Sequence, residues 1–280
     1  MPAEHREQAL DLLRSKHRMP QDVAHLTCEQ LFCLAVGNAP DDWQSKLLRS
    51  EQRQLILNCS RQSGKSQLSA IIGLHTALFT PNALVLLAAP SLRQSSELHR
   101  KVMQAYSGVS GVPRLTATSA LKAEFDNGSR VQVVPSTEET VRGFSAVNLL
   151  ICDEASRISD ELYFSLRPVL AVSKGRIVLL STPSGQRGFF YKEWIEGTEW
   201  ERARITAAEC PRIDPQWLEE ERNRIGDYWF QQEYGCEFQD TTTAIFRSAD
   251  YDNCITSEVK PLWAKVAQAT SVSVIQPAVL

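Results

Sequence analysis

The sequence has no closely spaced cysteine pair, no apolar run long enough to cross a bilayer and no surplus of basic charge. Its seven cysteines, Cys28, Cys33, Cys59, Cys152, Cys210, Cys236 and Cys254, are odd in number and contain no CxxC pair. That pattern supplies neither a disulfide framework nor a zinc site, and it fits a reducing cytoplasm. No segment approaches the ~20 apolar residues of a membrane helix. The first residues, with Glu4, His5, Arg6 and Glu7, lack the layout of a secretory signal. A soluble, cytoplasmic protein with no membrane partner is expected. Thirty basic residues against 33 acidic ones give a net charge of −3. This argues against a nucleic-acid coat or a basic tail, but leaves room for a local basic patch. Internal repeats are also missing. What remains is 280 residues, 43% of them hydrophobic, enough for one large or two small domains around a sizeable core.

One stretch organises the rest: Leu55-Ile56-Leu57-Asn58-Cys59-Ser60-Arg61-Gln62-Ser63-Gly64-Lys65-Ser66, followed by Gln67. It predicts a buried strand, a short loop and a helix beginning near Lys65. Gly64 lets the backbone approach a phosphate with no Cβ in the way, successive N–H groups can turn toward the anion, and the helix adds its positive end. Residues from Ser60 to Gln67 would then cradle a nucleotide. Lys65 would reach the β- and γ-phosphates, and the Ser66 hydroxyl would ligate Mg²⁺. The usual pattern has a further glycine five positions before Gly64, where this chain has Cys59. Taken alone, the segment also fits an ordinary strand–turn–helix.

A second stretch, Val147-Asn148-Leu149-Leu150-Ile151-Cys152-Asp153-Glu154, is an apolar strand ending in two carboxylates. Such strand ends face ligands in open α/β sheets. Asp153 would hold Mg²⁺ through water, and Glu154 would polarise the water that attacks the γ-phosphate. A lone Asp-Glu often only caps the next helix, but here the two stretches answer different needs of one reaction. A third strand, 176–180, ends in Ser181-Thr182-Pro183-Ser184-Gly185. Its hydroxyls could sense a γ-phosphate, or the segment is a plain turn. Upstream, Pro40, Asp41 and Asp42 begin a helix. Gln44 on it could pair with both edges of adenine beside Trp43, or could be a surface glutamine next to a core tryptophan.

Between these stretches, residues 83–89 form another continuous apolar run and 91–106 a helix. Residues 107–119 read as loop. Residues 122–125 and 130–134 flank Asp126-Asn127-Gly128, a hairpin signal. A helix over 160–170 ends near Pro168. Apolar strands alternating with helices predict a doubly wound, mostly parallel sheet with right-handed crossovers. Four regions are expected. Residues 1–39 form a helical arm, with helices at 5–18 and, after Thr27, at 28–36. Residues 40–187 form the core. Residues 188–240 form a small helical lid, with an aromatic face of Phe189, Phe190, Tyr191 and Trp194, a strand near 202–207, and helices at 215–225 and 227–236. Residues 241–280 form a linker and tail.

With both motifs in place, the chain resembles the ATPase half of tailed-bacteriophage terminase large subunits, the motors that package DNA. The likeness covers roughly residues 40–250. It is carried by Trp43-Gln44, the Cys59–Ser66 loop, which lacks a first glycine but has Ser-Arg-Gln, Arg142-Gly143-Phe144, the 149–155 strand end, the 180–185 segment, the aromatic face, and the run Gln232-Glu233-Tyr234-Gly235-Cys236-Glu237-Phe238. The resemblance implies a P-loop NTPase of the ASCE/RecA-like type with a lid, using ATP and Mg²⁺. It implies that Gln44 belongs to an adenine motif, that Glu154 is catalytic, and that Ser181-Thr182-Pro183 couples hydrolysis to lid movement. Arg61 in cis and Arg142 reaching a neighbouring subunit are both implied as arginine fingers, a role that fits a fixed planar cation where charge builds up, and the choice between them stays open. Double-stranded DNA gripped through its phosphates without sequence preference, a portal protein, a small terminase subunit and a homo-oligomeric ring in the bacterial host cytoplasm are the implied partners and setting. Relatives carry a C-terminal nuclease with clustered acids, whereas Asp250 and Asp252 are the last aspartates here and no acidic side chain follows Lys265. No nuclease activity is expected. A catalytically silent, truncated prophage fragment that serves as an interaction or nucleotide-binding module is the alternative, although every ATPase position holds a chemically competent residue.

Overall fold

Continuous apolar runs become strands covered on both faces. The computed structural model describes residues 26–134, 141 and 143–239. After α1 (Cys28–Val36) and α2 (Asp42–Leu48) come β1 (Gln54–Cys59), α3 (Lys65–Phe79), β2 (Leu84–Ala88) and α4 (Leu92–Ser107). The meander β3 (Leu115–Thr118), β4 (Lys122–Phe125) and β5 (Arg130–Val133) follows, then β6 (Leu149–Asp153), α5 (Asp160–Leu166), β7 (Arg176–Ser181), α6 (Gly188–Ile195), β8 (Glu201–Ile205), α7 (Pro215–Ile225) and α8 (Asp227–Glu233). All eight strands form one sheet in the order β3-β4-β5-β2-β6-β7-β1-β8. From β5 to β8 in that order neighbours pair in parallel, while β3 and β4 close one edge antiparallel.

Alternate strand residues point to opposite faces, so the sheet builds two cores. Leu55, Leu57, Val85, Leu87, Ile151 and Leu180 pack with Leu68, Ile71 and Leu74 of α3 and with α1, α2 and α4. Ile56, Leu86, Leu150, Cys152, Ile177 and Leu179 pack with Leu162, Tyr163 and Leu166 of α5 and Phe189 and Phe190 of α6. Cys59 and Cys152 are fully buried. Burial raises both thiols, that of Cys152 to about 12, so they serve as small core residues, as the sequence implies. α1 begins as expected at Thr27, whose hydroxyl accepts from the Gln30 N–H while the Gln30 side chain accepts from the Thr27 N–H.

Three elements differ from the sequence reading. The stretch read as loop contains β3, an edge strand whose residues after Leu115 are exposed, so it carries no apolar signal. The helix read to residue 170 is α-helical only to Leu166 and tightens to a 3-10 turn over Arg167–Leu170, where Pro168 lacks the N–H that an α-turn needs. The last helix likewise stops at Glu233. Of the region assigned to the lid, α6 contributes core aromatics and β8 pairs along β1. The described residues belong to a compact unit that ends at Gln239. The helix expected at 5–18, Arg142 and the expected linker and tail at 241–280 lie outside the described residues.

Gly175 enters β7 where an added Cβ would overlap the Val147 carbonyl oxygen. Gly175→Ala is expected to destabilise the fold by about 2–3 kcal/mol, as overpacking of a close backbone contact does. Urea denaturation measures this, and an unchanged midpoint would contradict the packing described.

Candidate active site

β1, β7 and β6 run parallel side by side, so their C-terminal ends lie along one edge of the sheet. Asn58 stands opposite Ser181 and Leu180 opposite Asp153. The loop after β1, the carboxylates after β6 and the hydroxyls after β7 therefore converge, with β7 between the first two. Lys65 opens α3 behind Gly64, which sits in the left-handed region at φ 93°. Gln62 is also left-handed, at φ 60°. These two turns curl the loop, and among the described residues the main-chain N–H groups of residues 62–66 have no intramolecular acceptor. Curled N–H groups ahead of a helix make an anion cradle.

Side chains converge on the same cradle. Ser66 Oγ donates to Asp153 Oδ2 at 2.9 Å. Lys65 Nζ lies 3.2 Å from Glu154 Oε1 and donates to Thr182 Oγ1 at 3.4 Å. Burial, first, and then Glu154 push the Asp153 carboxyl above the ordinary carboxylate range, while Lys65 and the hydrogen bonds from Ser66 and the Glu154 N–H pull it down. Glu154 takes a left-handed backbone at φ 51°, and its other oxygen, Oε2, is 3.3 Å from Arg157 Nη1. Ser156 and Ser181 share a hydroxyl hydrogen bond of 2.7 Å, and Ser156 also donates to the Thr182 carbonyl. This fastens the segment after β6 to Ser181 and Thr182, with Pro183 buried next to them. The loop and the carboxylates face each other across a cleft of about 530 Å³, lined in part by Gln62, Gly64, Ser66, Gln67, Glu154 and Arg157.

The remaining site residues inferred from sequence fall into three groups. Ser60 and Ser63 are buried and shape the loop, Ser63 Oγ donating to the Ser60 carbonyl. Gln44 is buried rather than on the surface. Its Oε1 accepts from the Asp41 N–H at 3.0 Å, and its Nε2 would lie 3.1 Å from a Cβ at Gly64. Trp43 is half-buried at the edge of the core and donates to Asp41. Arg61 is exposed, with its Nε on Glu233 Oε2 at 2.6 Å.

Several neighbours escaped the sequence reading. Arg212 donates to the Ser63 carbonyl and to Asp41 Oδ1, tying the loop to the cap of α2. Gln94 and Lys101 of α4 reach the cleft. Arg157 carried a signal, its i,i+3 spacing from Glu154, whereas Arg212 is far from the loop in sequence and had none, and Glu233, although part of the run that carries the resemblance, gave no sign of its contact with the loop.

A left-handed loop after one strand and a carboxylate pair two strands away, with another strand between, is the arrangement of the ASCE type of P-loop fold. Residues 56–251 match the family described as terminase large subunit, T4likevirus-type, N-terminal, and the chain belongs to that family. It is 23% identical over 256 residues to the terminase large subunit of Thermus phage G20c, covering 78% of this chain and 53% of that protein. It is 30% identical over 173 residues to the probable terminase large subunit of Enterobacteria phage P7, covering 55% of this chain and 34% of that one. The chain spans about half the length of the first of these. Among solved structures it resembles the large terminase ATPase domain of Thermus phage P74-26, with a TM-score of 0.64 at 21% identity, over 76% of this chain and 100% of that domain. It also resembles the HK97 bacteriophage large terminase, with a TM-score of 0.61 at 14% identity, over 74% of this chain and 53% of that one. A large terminase of a thermophilic bacteriophage solved with ADP has a TM-score of 0.60 at 14% identity, covering 71% of this chain and 53% of that one. At these identities the structural likeness establishes the fold. Among the described residues no helix is long and apolar enough to cross a membrane.

Proposed function

We propose that this chain binds and hydrolyses ATP with Mg²⁺, and that hydrolysis drives double-stranded DNA into a viral procapsid. The observation that carries the reading is the unbonded run of N–H groups at residues 62–66 opening toward Lys65, Ser66, Asp153 and Glu154. A solved relative that holds ADP supports it.

The residues fit both ligands. A Cβ at Gly64 would crowd Gln44 and Arg212, so the close approach of the loop requires glycine there. Ser66 and Asp153 offer hard oxygen donors 2.9 Å apart, and among the described residues no ready-made cluster of three or more ligating side chains exists. Mg²⁺ would be held by Ser66, by Asp153 through water, and by phosphate oxygens, where it neutralises phosphate charge. The N–H groups of residues 62–66 bind phosphate, and Lys65 exchanges Glu154 for it. The freed Glu154 carboxylate then takes a proton from the attacking water. Arg61 or Arg142 stabilises charge in the transition state. Gln44, beside the loop, with Trp43 nearby, serves the adenine end. Ser181, Thr182 and Pro183 report phosphate loss to residues 188–240, which act as the lid. A ring of copies on a portal protein, loaded with a small terminase subunit and gripping DNA through phosphates in the host cytoplasm, completes the proposal. A silent module is less well supported, because Lys65, Glu154 and Asp153 stand together in bonding geometry.

Phosphate release by the purified chain tests this. Turnover is expected with Mg²⁺, is expected to vanish on chelation, and should rise with double-stranded DNA in a way that fades as salt increases. Binding of a fluorescent ATP analogue without any turnover would replace the motor reading with the silent module, and absence of both would sink it.

A further inference from the structure

The run Gln232-Glu233-Tyr234-Gly235-Cys236-Glu237-Phe238 has no role in the reaction as described so far, yet it lies as a strap along the site. The Tyr234 carbonyl accepts from Ala207 just after β8, the Gly235 carbonyl from Arg204, and the Cys236 carbonyl from Asn58 at the end of β1. The Phe238 carbonyl accepts from Gln186, beyond the hydroxyl segment. One member of this run touches the phosphate loop itself. The Glu233 carbonyl accepts the Arg61 N–H at 3.0 Å, and its carboxylate holds Arg61 Nε at 2.6 Å. Its other oxygen lies 3.9 Å from Arg157 Nη2, and Arg157 in turn holds Glu154.

We propose that Glu233 is a positioning residue, the strap's contact with the reaction, which holds Arg61 and Arg157 in place on either side of it. This rests on the ATPase reading and deepens it. Charges alternate along the series Arg61, Glu233, Arg157, Glu154 and Lys65. The Glu233 side chain is 14% exposed, so its charge is only partly screened. It grips the Nε edge of Arg61, and among the described residues the two Nη groups of Arg61 have no protein partner, which leaves them for the cleft that Arg61 lines. It also screens two guanidinium groups from each other. Without that charge Arg61 swings out, and Arg157 turns wholly to Glu154, competing with the water that Glu154 must activate. The strap also touches β1, β8 and the segment after β7, so a shift of α8 moves Arg61 and Arg157 together. Nucleotide affinity, set by Lys65 and the loop N–H groups, does not depend on it.

Steady-state ATP hydrolysis by the whole chain tests the proposal. Glu233→Gln keeps the shape and removes the charge. It is expected to lower kcat by about tenfold or more while KM for ATP stays within about threefold. Glu233→Asp keeps the charge with a shorter reach and should retain more of the rate than the Gln variant. A merely structural contact would favour Gln, the closer isostere. The Arg61→Ala, Glu233→Gln double variant should lose less than the product of the two single losses, since the share of Glu233 that acts through Arg61 is already gone and only its hold on Arg157 is left to lose. An unaltered rate in Glu233→Gln, a loss carried by KM, Gln outperforming Asp, or fully additive losses would each overturn the role of Glu233 while leaving the ATPase reading intact. Absence of turnover by the unaltered chain above a Glu154→Gln control would instead overturn both.

Discussion

Glu154→Gln is expected to cut ATP turnover by about 10²–10⁴-fold, the range for loss of a positioned general base, while nucleotide binds at least as tightly as before. The geometry supports both halves. Glu154 stands at the end of β6 with one oxygen on Lys65 and the other on Arg157. It is thus a carboxylate held between two cations. Gln preserves the shape and the left-handed backbone but cannot accept a proton from water. It also loosens the hold on Lys65, which a phosphate must otherwise draw away from Glu154. Chemistry is then blocked while ground-state affinity is kept or raised, the pattern of an interaction needed only in the transition state. Phosphate release and retention of a fluorescent ATP analogue measure the two halves. Turnover within about threefold of the unaltered chain would remove Glu154 from the role of base.

How much of this was open to sequence reading follows from where the signals lie. β1, β2, β6 and β7 are buried almost throughout. Their apolar runs therefore announced parallel strands, and their ends announced where the loop, the carboxylates and the hydroxyls meet. The missing first glycine is also explained. Cys59 is still within β1, fully buried against the core, and needs no left-handed backbone. The turn is made later, by Gln62 and Gly64. What did not show was built from contacts distant in the chain. Arg212 meets Ser63 and Asp41, and Glu233 meets Arg61, across separations of about 150 residues and more, and no periodicity or local motif encodes such pairs. β3 was hidden because an edge strand exposed to water has no apolar alternation to display. Gln44 was half legible. Its type suggested recognition of a base, but its burial, through a capping box that uses its own carboxamide oxygen, could not be read from the residues beside it.

Lys65→Ala is expected to weaken ATP binding by about 10–100-fold, since a hydrogen bond to a charged group contributes about 1.5–3 kcal/mol, and to abolish measurable turnover. Lys65 is the cation aimed into the cradle from the first turn of α3. Its side chain is only 9% exposed, with Glu154 and Thr182 as its partners, so solvent screens it little. Titration with a fluorescent ATP analogue reads the affinity, and a dissociation constant within about threefold of the unaltered value would mean that phosphate does not lie against Lys65. The same substitution has a consequence without nucleotide or Mg²⁺. Lys65 is among the groups that hold the Asp153 carboxyl down against burial and Glu154, so its removal lets that carboxyl rise further. A carboxyl whose folded value is raised binds more protons in the folded chain than in the unfolded one. Its contribution to stability is then full below the ordinary carboxylate range and is lost as pH climbs through the folded value. The stability of Lys65→Ala relative to the unaltered chain should therefore fall as pH is raised from the ordinary carboxylate range toward neutrality, and recover on acidification. Melting curves across that range measure it. A relative stability that instead improves toward neutral pH would mean that Asp153 and Lys65 do not share one electrostatic environment, and the alignment of the loop with the end of β6 would lose its energetic basis.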